Sequence, residues 1–316
     1  MKAFLSILQP WRLPASSLLP KRTVNLRLAD IGHAAIATIE RQEWLAPLEE
    51  VLQRAVARAL ELAGRTTRNL LHGTWLGHPL HPVLTDLPIG AWTMGVCFDV
   101  LDARSHHGRY ARAADASIVI GVGGAVAAAA AGLADWHHTS GASRRTGFVH
   151  ALFNTSALGL FIGSLVLRRQ GRRDAGRALS AAGYAVMLAA SYLGGSLVFR
   201  DRIGVDHSRR KIDGDQEVVL DVTGLGEGER RRVDVGDVPV MLVRDGGHVY
   251  ALAERCSHLG GPLSEGTIEN GVVVCPWHGS RFCLADGRVL DGPATVEQPC
   301  YQVREVGGRL AIRPAA

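Results

Sequence analysis

The apolar pattern changes character three times along the chain. Over residues 40–63, Leu45, Leu48, Leu52, Ala55, Ala59 and Leu62 recur at three- and four-residue spacing, which predicts an amphipathic helix. Its other face mixes Glu and Arg rather than being mainly basic, so packing on a partner helix is favoured over lying on a membrane surface. Three uncharged stretches follow: Ala116–Ala134 with 19 residues, Phe148–Leu167 with 20 and Ala178–Phe199 with 22. Each matches the roughly 20 apolar residues needed to cross a bilayer. They are rich in Ala, Gly and Ser, as close helix packing in lipid favours. Leu87–Leu101 is a weaker fourth candidate, interrupted by Asp99. Thr85-Asp86-Leu87-Pro88 reads as its start, with proline near the first helical position. Beyond a polar stretch at 200–216 the period becomes two. Val218 to Val222, Val238 to Val243 and His248 to Ala253 read as strands, with Asp245-Gly246-Gly247 as a tight hairpin.

The expected architecture is therefore α + β and multidomain: an N-terminal transmembrane four-helix bundle followed by an all-β domain. The boundaries are a mobile basic arm at 1–39, the amphipathic helix and a His-Pro segment at 40–84, four spans at 85–199, a linker at 200–216 and the β domain at 217–316. A linker of this length reaches at most about 50 Å, enough for the β domain to swing.

Charge sharpens this division. Residues 1–211 carry 25 Arg and Lys against 14 Asp and Glu, whereas residues 212–316 carry 10 against 16. The split suits a basic membrane-proximal part joined to an acidic soluble domain, not the continuous basic stripe of a nucleic-acid binder. The five cysteines are an odd number in a chain of 316 residues, which argues against a secreted disulfide scaffold. The short apolar run Ala3 to Leu8 ends at Gln9-Pro10 and is not expected to act as a signal peptide.

The chemistry concentrates near the C-terminus. Cys256-Ser257-His258 is separated by sixteen residues from Cys275-Pro276-Trp277-His278. Each half supplies one thiolate and one imidazole. Two such halves can grip two irons, one through two anionic sulfurs and one through two neutral nitrogens. Replacing thiolates by imidazoles raises the reduction potential of an iron–sulfur centre, to roughly −150 to +300 mV. The same four side chains could instead hold zinc, although zinc fingers order their cysteines and histidines differently.

This motif resembles the Rieske family of [2Fe–2S] proteins over about 217–314. Leu259-Gly260-Gly261, Gly279-Ser280-Arg281-Phe282 and Gly292-Pro293-Ala294 resemble the segments that surround the cluster in that family. The resemblance implies that Cys256 and Cys275 ligate one iron, and His258 and His278 the other. Gly261 and Trp277 stand where respiratory relatives carry a disulfide. Ser280 matches a sulfide-bonding serine, and Phe282 replaces a tyrosine hydroxyl donor. The domain therefore resembles the low-potential ferredoxin-type members, such as dioxygenase ferredoxins and nitrite reductase small subunits. Cys283 and Cys300 are expected to be buried strand residues.

A second signature lies at Leu71 to Pro82, with Gly77-His78-Pro79-Leu80-His81-Pro82 at its end, followed by Asp135-Trp136-His137-His138 and by His150. It resembles an uncharacterised bacterial family of four-span membrane proteins with a His-Pro-Leu-His-Pro stretch, over about 70–200. With four alternating spans, His78, His81, His137, His138, His150 and the β domain all fall on one side of the membrane. Ionisable groups near spans are costly and commonly functional. His81 and His150 are therefore candidate ligands of a haem b or lining of a quinone site, with interhelical hydrogen bonding as the structural alternative. Asn154 shares a helix face with His150. Asp99 has no evident partner in the sequence.

Arg and Lys near the spans number nine on one side and eight on the other, so the positive-inside rule gives no orientation. A cluster assembled in the cytoplasm, with no twin-arginine signal, favours cytoplasmic termini and a cytoplasmic β domain in the inner membrane. The expected function is a membrane-anchored one-electron carrier between donor and acceptor proteins, with no complete catalytic site of its own. A redox sensor gating the membrane part, or an electron-transfer subunit of a separate oxygenase or reductase, are the alternatives.

Overall fold

The computed structural model describes residues 28–105, 108–208, 217–220, 222 and 224–314. Six helices lead the chain: α1 (Leu28–Glu40), α2 (Ala46–His72), α3 (Leu80–Ser105), α4 (Ala111–Trp136), α5 (Gly141–Arg169) and α6 (Arg173–Phe199). The last four are long and apolar enough to cross a membrane. Their outward faces expose Leu87, Met94, Ile120, Val126, Leu152 and Ile162, the surface a bilayer would cover. Among the described residues, part of the region expected to be a mobile arm is ordered. Leu28–Glu40 is helical, Ile36 on it is buried, and it packs on α5; residues 1–27 lie outside the described residues.

The amphipathic segment is α2, and it packs on α3, α4 and α5 rather than standing free. Its axis breaks at Gly64, whose φ of +79° is a conformation that favours glycine. Glu49, expected on the polar face, is fully buried and held by Arg144 at 2.8 Å and Arg145 at 3.3 Å from α5. The weak fourth span begins earlier than the sequence suggests. Helix α3 starts at Leu80, so Pro82 lies in its first turn, where no backbone donor is needed. Pro88 sits inside the helix, not at its start.

Asp99 has its partner here. Arg168 of α5 donates to both of its carboxylate oxygens, Ser180 of α6 donates at 2.9 Å, and Arg168 also reaches Asp115 of α4 at 3.0 Å. The pair is almost fully enclosed, with side-chain exposures of 2% and 7%. Burial of both charges is tolerable only because the remaining donors and acceptors are also satisfied.

The four long helices form two similar hairpins, α3–α4 and α5–α6. Residue n of α3 corresponds to n + 69 in α5, and residue n of α4 to n + 62 in α6. Trp92 and Phe161 correspond and stack at 4.1 Å. Each abuts a glycine of its own hairpin, Gly121 and Gly183, and Asp99 and Arg168 are themselves counterparts. The bundle is thus a parallel repeat about a pseudo-twofold axis along the helices, an arrangement familiar in membrane proteins.

The β domain has two sheets. The base sheet has strand order β1-β10-β9-β4-β3-β2, formed by β1 (Val218–Leu220), β2 (Arg230–Val235), β3 (Val238–Asp245), β4 (His248–Ala253), β9 (Cys300–Val306) and β10 (Arg309–Pro314). A smaller sheet of β5 (Thr267–Ile268), β6 (Val272–Val274), β7 (Arg281–Cys283) and β8 (Val289–Asp291) is inserted between β4 and β9. Met241, Leu252, Leu263, Val273 and Phe282 pack with Cys256 and Cys275 into one core. Cys283 and Cys300 are half-buried rather than buried.

Candidate metal centre

Two loops carry the four candidate ligands, and they are built alike. In the first, Cys256 N–H donates to Gly261 O at 2.8 Å and Gly260 N–H to Cys256 O at 2.8 Å. In the second, Cys275 N–H donates to Ser280 O at 2.8 Å and Gly279 N–H to Cys275 O at 3.1 Å. Gly260 and Gly279 occupy matching left-handed positions with φ of +79° and +73°. Each knuckle turns backbone N–H groups onto its own sulfur: those of His258 and Leu259 onto Cys256, those of Trp277 and His278 onto Cys275. Such donors stabilise thiolate charge. The two thiols lie within hydrogen-bonding reach of each other: that contact and burial push the Cys256 thiol up, and the same contact lowers Cys275.

Buried Gln298 fixes the first loop. Its Oε1 accepts from Ser257 N–H at 3.0 Å, and its Nε2 donates to Ala253 O and Arg255 O at 2.7 Å. Ser280 Oγ accepts from Ala294 N–H at 2.9 Å, holding the Gly292-Pro293-Ala294 segment against the second loop. Gly261 is tightly packed: a Cβ there would lie 3.0 Å from Cys275 Sγ and from the Trp277 ring, so one of these would have to give way.

The histidines of the two loops face each other with ring centroids 5.1 Å apart. His258 Nδ1 is buried and has no hydrogen-bond partner, which a metal ligand explains and a structural imidazole does not. Among the described residues, no three or more His, Cys, Asp or Glu side chains converge on a single-ion site. That favours ligands divided between two irons over a zinc site, which draws four ligands to one ion. Cys256, His258, Cys275 and His278 could therefore hold a two-iron centre.

The tip bearing these histidines is docked on the helical bundle. His138, just past the end of α4, packs edge-on against both, 5.4 Å from His258 and 4.9 Å from His278 by ring centroids. The His137 ring lies 3.7 Å from that of His138, tilted by 44°, and His72 of α2 lies 5.5 Å from His138 with its Nδ1 3.0 Å from Asp135. Burial, then the surrounding imidazoles, hold His138 well below the usual histidine range. The dock has a polar latch beside it. Asn69 Nδ2 donates to Asp291 at 2.9 Å, Asn69 Oδ1 accepts from Gly292 N–H at 3.1 Å, and Arg65 pairs with Asp291. The described part of the expected linker is also pinned: His207 N–H donates to Ser257 O at 3.1 Å. A freely swinging domain is thus not what residues 200–208 show, and 209–216 lie outside the described residues.

His81 and His150 fall on the same end of the bundle, 6.4 Å apart by ring centroids. His78 is exposed, with Nδ1 3.2 Å from Pro79 O, and approaches neither. The sequence reading missed Asn69, Asp291 and Gln298. They are ordinary polar residues on a helix, at a strand end and in a loop, and only the folded geometry gives them a role.

Comparison with known proteins decides the family. A model described as the Rieske [2Fe–2S] domain matches residues 215–302. The 3-phenylpropionate/cinnamic acid dioxygenase ferredoxin subunit of Escherichia coli (strain K12) is 40% identical over 92 residues, which are 29% of this chain and 86% of that protein. The chain belongs to the Rieske [2Fe–2S] family. A Rieske domain binds a [2Fe–2S] cluster, and its ferredoxin relatives are electron carriers. A second model, described as a predicted membrane protein (DUF2231), matches residues 77–207. Apoptosis-inducing factor 3 of Mus musculus is 36% identical over 98 residues, 31% of this chain, yet the chain spans only 16% of that protein. Among solved structures, the ferredoxin of carbazole 1,9a-dioxygenase from Nocardioides aromaticivorans IC177 is 29% identical. It covers 31% of this chain and 98% of its own, with a TM-score of 0.29.

Proposed function

We propose that this protein is a membrane-anchored one-electron carrier whose Rieske cluster exchanges electrons at the histidine-lined end of its own helical bundle. Cys256 and Cys275 hold one iron, and His258 and His278 the other. The cluster supplies a centre that takes up and releases one electron at a time. The residues of the chain do the rest. The two knuckles direct N–H groups at the sulfurs, Gln298 and Ser280 fix the loops, and His138 excludes water from the ligand imidazoles.

The observation that carries this reading is the dock itself. In a carrier that only meets soluble partners, the ligand-histidine tip would be free. Here it is seated against His138, so the bundle is a redox neighbour as well as a tether. Four apolar helices and a match to a membrane family support anchoring in the inner membrane. An even number of spans keeps both termini and the Rieske domain on one side, which we assign to the cytoplasm. Donor and acceptor proteins complete the cycle, with the acidic β domain steering a basic donor such as a flavin reductase. The ferredoxin relatives favour a second reading, supply of electrons to a separate oxygenase chain.

Stopped-flow reduction of the full-length protein by a flavin-dependent NADH reductase, followed by reoxidation with an added acceptor, tests the carrier role. Repeated turnover through the cluster is expected, and His278→Ala should abolish it. Reduction that changes conformation with no net electron throughput would replace the carrier with a redox sensor. Labelling of a cysteine introduced at Asp286 in intact and inverted vesicles tests the orientation: reaction only in inverted vesicles is expected.

A further inference from the structure

We propose that His81 and His150 are the two axial ligands of a b-type haem held on the pseudo-twofold axis of the bundle. This deepens the carrier reading and rests on it. The two histidines are counterparts in the repeat, one on α3 and one on α5. Each makes the same bond to the other helix of its own hairpin. His81 Nδ1 donates to Ala128 O at 2.8 Å, and His150 Nδ1 donates to Ala190 O at 2.9 Å. A ring nitrogen this close to a carbonyl carries the proton, so in each neutral imidazole the lone pair is on Nε2. A haem-ligating histidine needs this arrangement: the distal nitrogen fixed to a backbone acceptor and the other nitrogen free to bind.

The separation also fits. A metal–nitrogen bond of about 2.0 Å and about 1.1 Å from nitrogen to ring centre place two trans imidazoles on one iron about 6.2 Å apart. The observed centroid distance is 6.4 Å, with ring planes at 89°. Nε2 of His81 has no hydrogen bond among the described residues, whereas Asn154 Nδ2 lies 3.1 Å from Nε2 of His150. That amide also donates to His150 O at 2.9 Å, a bond it keeps when iron takes the lone pair. Glycines let each ring lie against the other helix of its hairpin: a Cβ at Gly132 would lie 2.8 Å from the His81 ring, and one at Gly194 3.0 Å from the His150 ring.

The number of ligands selects haem over a bare ion. No third His, Cys, Asp or Glu among the described residues joins this pair. A bare transition-metal ion would lack half its ligands, whereas a porphyrin supplies four in-plane nitrogens and leaves two positions for the protein. The counterpart layer 11 residues deeper is closed by the Trp92–Phe161 stack, about 16 Å further along the helices. The histidine layer is the one that faces the docked cluster. Gly132 lies in the last turns of α4, and His138 follows two residues after its end at Trp136. A haem there takes and returns one electron, the same unit the cluster handles.

The test is a haem titration of the purified full-length protein in detergent. We expect one haem per chain, with a low-spin Soret spectrum and near-infrared magnetic circular dichroism typical of two imidazole ligands. His81→Ala and His150→Ala should each lose the low-spin spectrum, and added imidazole should restore it. The EPR signal of the reduced cluster should be unchanged throughout. Haem that fails to bind the wild-type protein, or binds with another axial pair, overturns the proposal whatever the variants do. A persisting cluster signal in that case leaves the carrier reading standing, and its loss removes both.

Discussion

Replacing Asn69 by alanine tests the dock without touching the cluster loops. Asn69 lies on α2, outside the β domain, yet it donates to Asp291 at 2.9 Å and accepts from Gly292 N–H at 3.1 Å. The first bond goes to a carboxylate and is worth about 1.5–3 kcal/mol; the second is neutral and is worth about 0.5–1.5 kcal/mol. Arg65 also meets Asp291, but its side chain is 64% exposed, so it adds at most about 1 kcal/mol and cannot replace them. The variant should therefore lose about 2–4 kcal/mol of docking free energy. That is thirtyfold to several-hundredfold in the undocking equilibrium. The readout is pulsed EPR between the reduced cluster and a nitroxide on the bundle beside His138. The wild-type protein should give one short, narrow distance distribution, and Asn69→Ala should add a long, broad population. A variant whose distribution matches the wild type would refute the reasoning, as would a wild type that is already broad.

Other predictions follow from the same contacts. Gly261→Ala should lower cluster occupancy while the β domain still folds, since its Cβ at 3.0 Å from Cys275 Sγ requires that sulfur or the Trp277 ring to shift; iron analysis and circular dichroism together check this. Phe282→Tyr should raise the cluster potential in protein-film voltammetry if, as the family resemblance implies, a hydroxyl there reaches the cluster; an unchanged potential would remove that role from position 282. Arg168→Met should destabilise the detergent-solubilised protein by about 3–5 kcal/mol, because Asp99 is left charged and buried. Arg168→Met with Asp99→Leu should recover much of that loss, and a double variant no better than the single would contradict the pairing.

Much of the architecture is legible in the sequence because membrane spans and alternating strands are strong periodic signals. The weak point was the first span. Asp99 breaks its apolar run, and the Arg168 that neutralises it is 69 residues away. Strand β2 was invisible for a local reason: Arg230-Arg231-Arg232-Val233-Asp234-Val235 is mostly charged. Its inward residue Val235 joins the core only because β3 lies alongside. The candidate cluster ligands are legible because each Cys–His pair is close together in the chain. His138 as their neighbour was not, because no spacing within the sequence links the end of α4 to loops more than a hundred residues later. The bundle repeat was present in the sequence as offsets of 69 and 62, visible in the matching Gly121 and Gly183, Gly132 and Gly194, His81 and His150. Its weak identity hid it until the paired contacts aligned the hairpins.

The account stands most directly on the nature of the centre between the two knuckles. Anaerobically purified full-length protein, reduced with dithionite, should show the rhombic EPR signal of a mixed-valence iron pair, with pulsed-EPR couplings to two imidazole nitrogens that His258→Ala and His278→Ala each destroy. Iron-free, EPR-silent protein with Cys256, His258, Cys275 and His278 intact, or a signal with no nitrogen coupling, would contradict it.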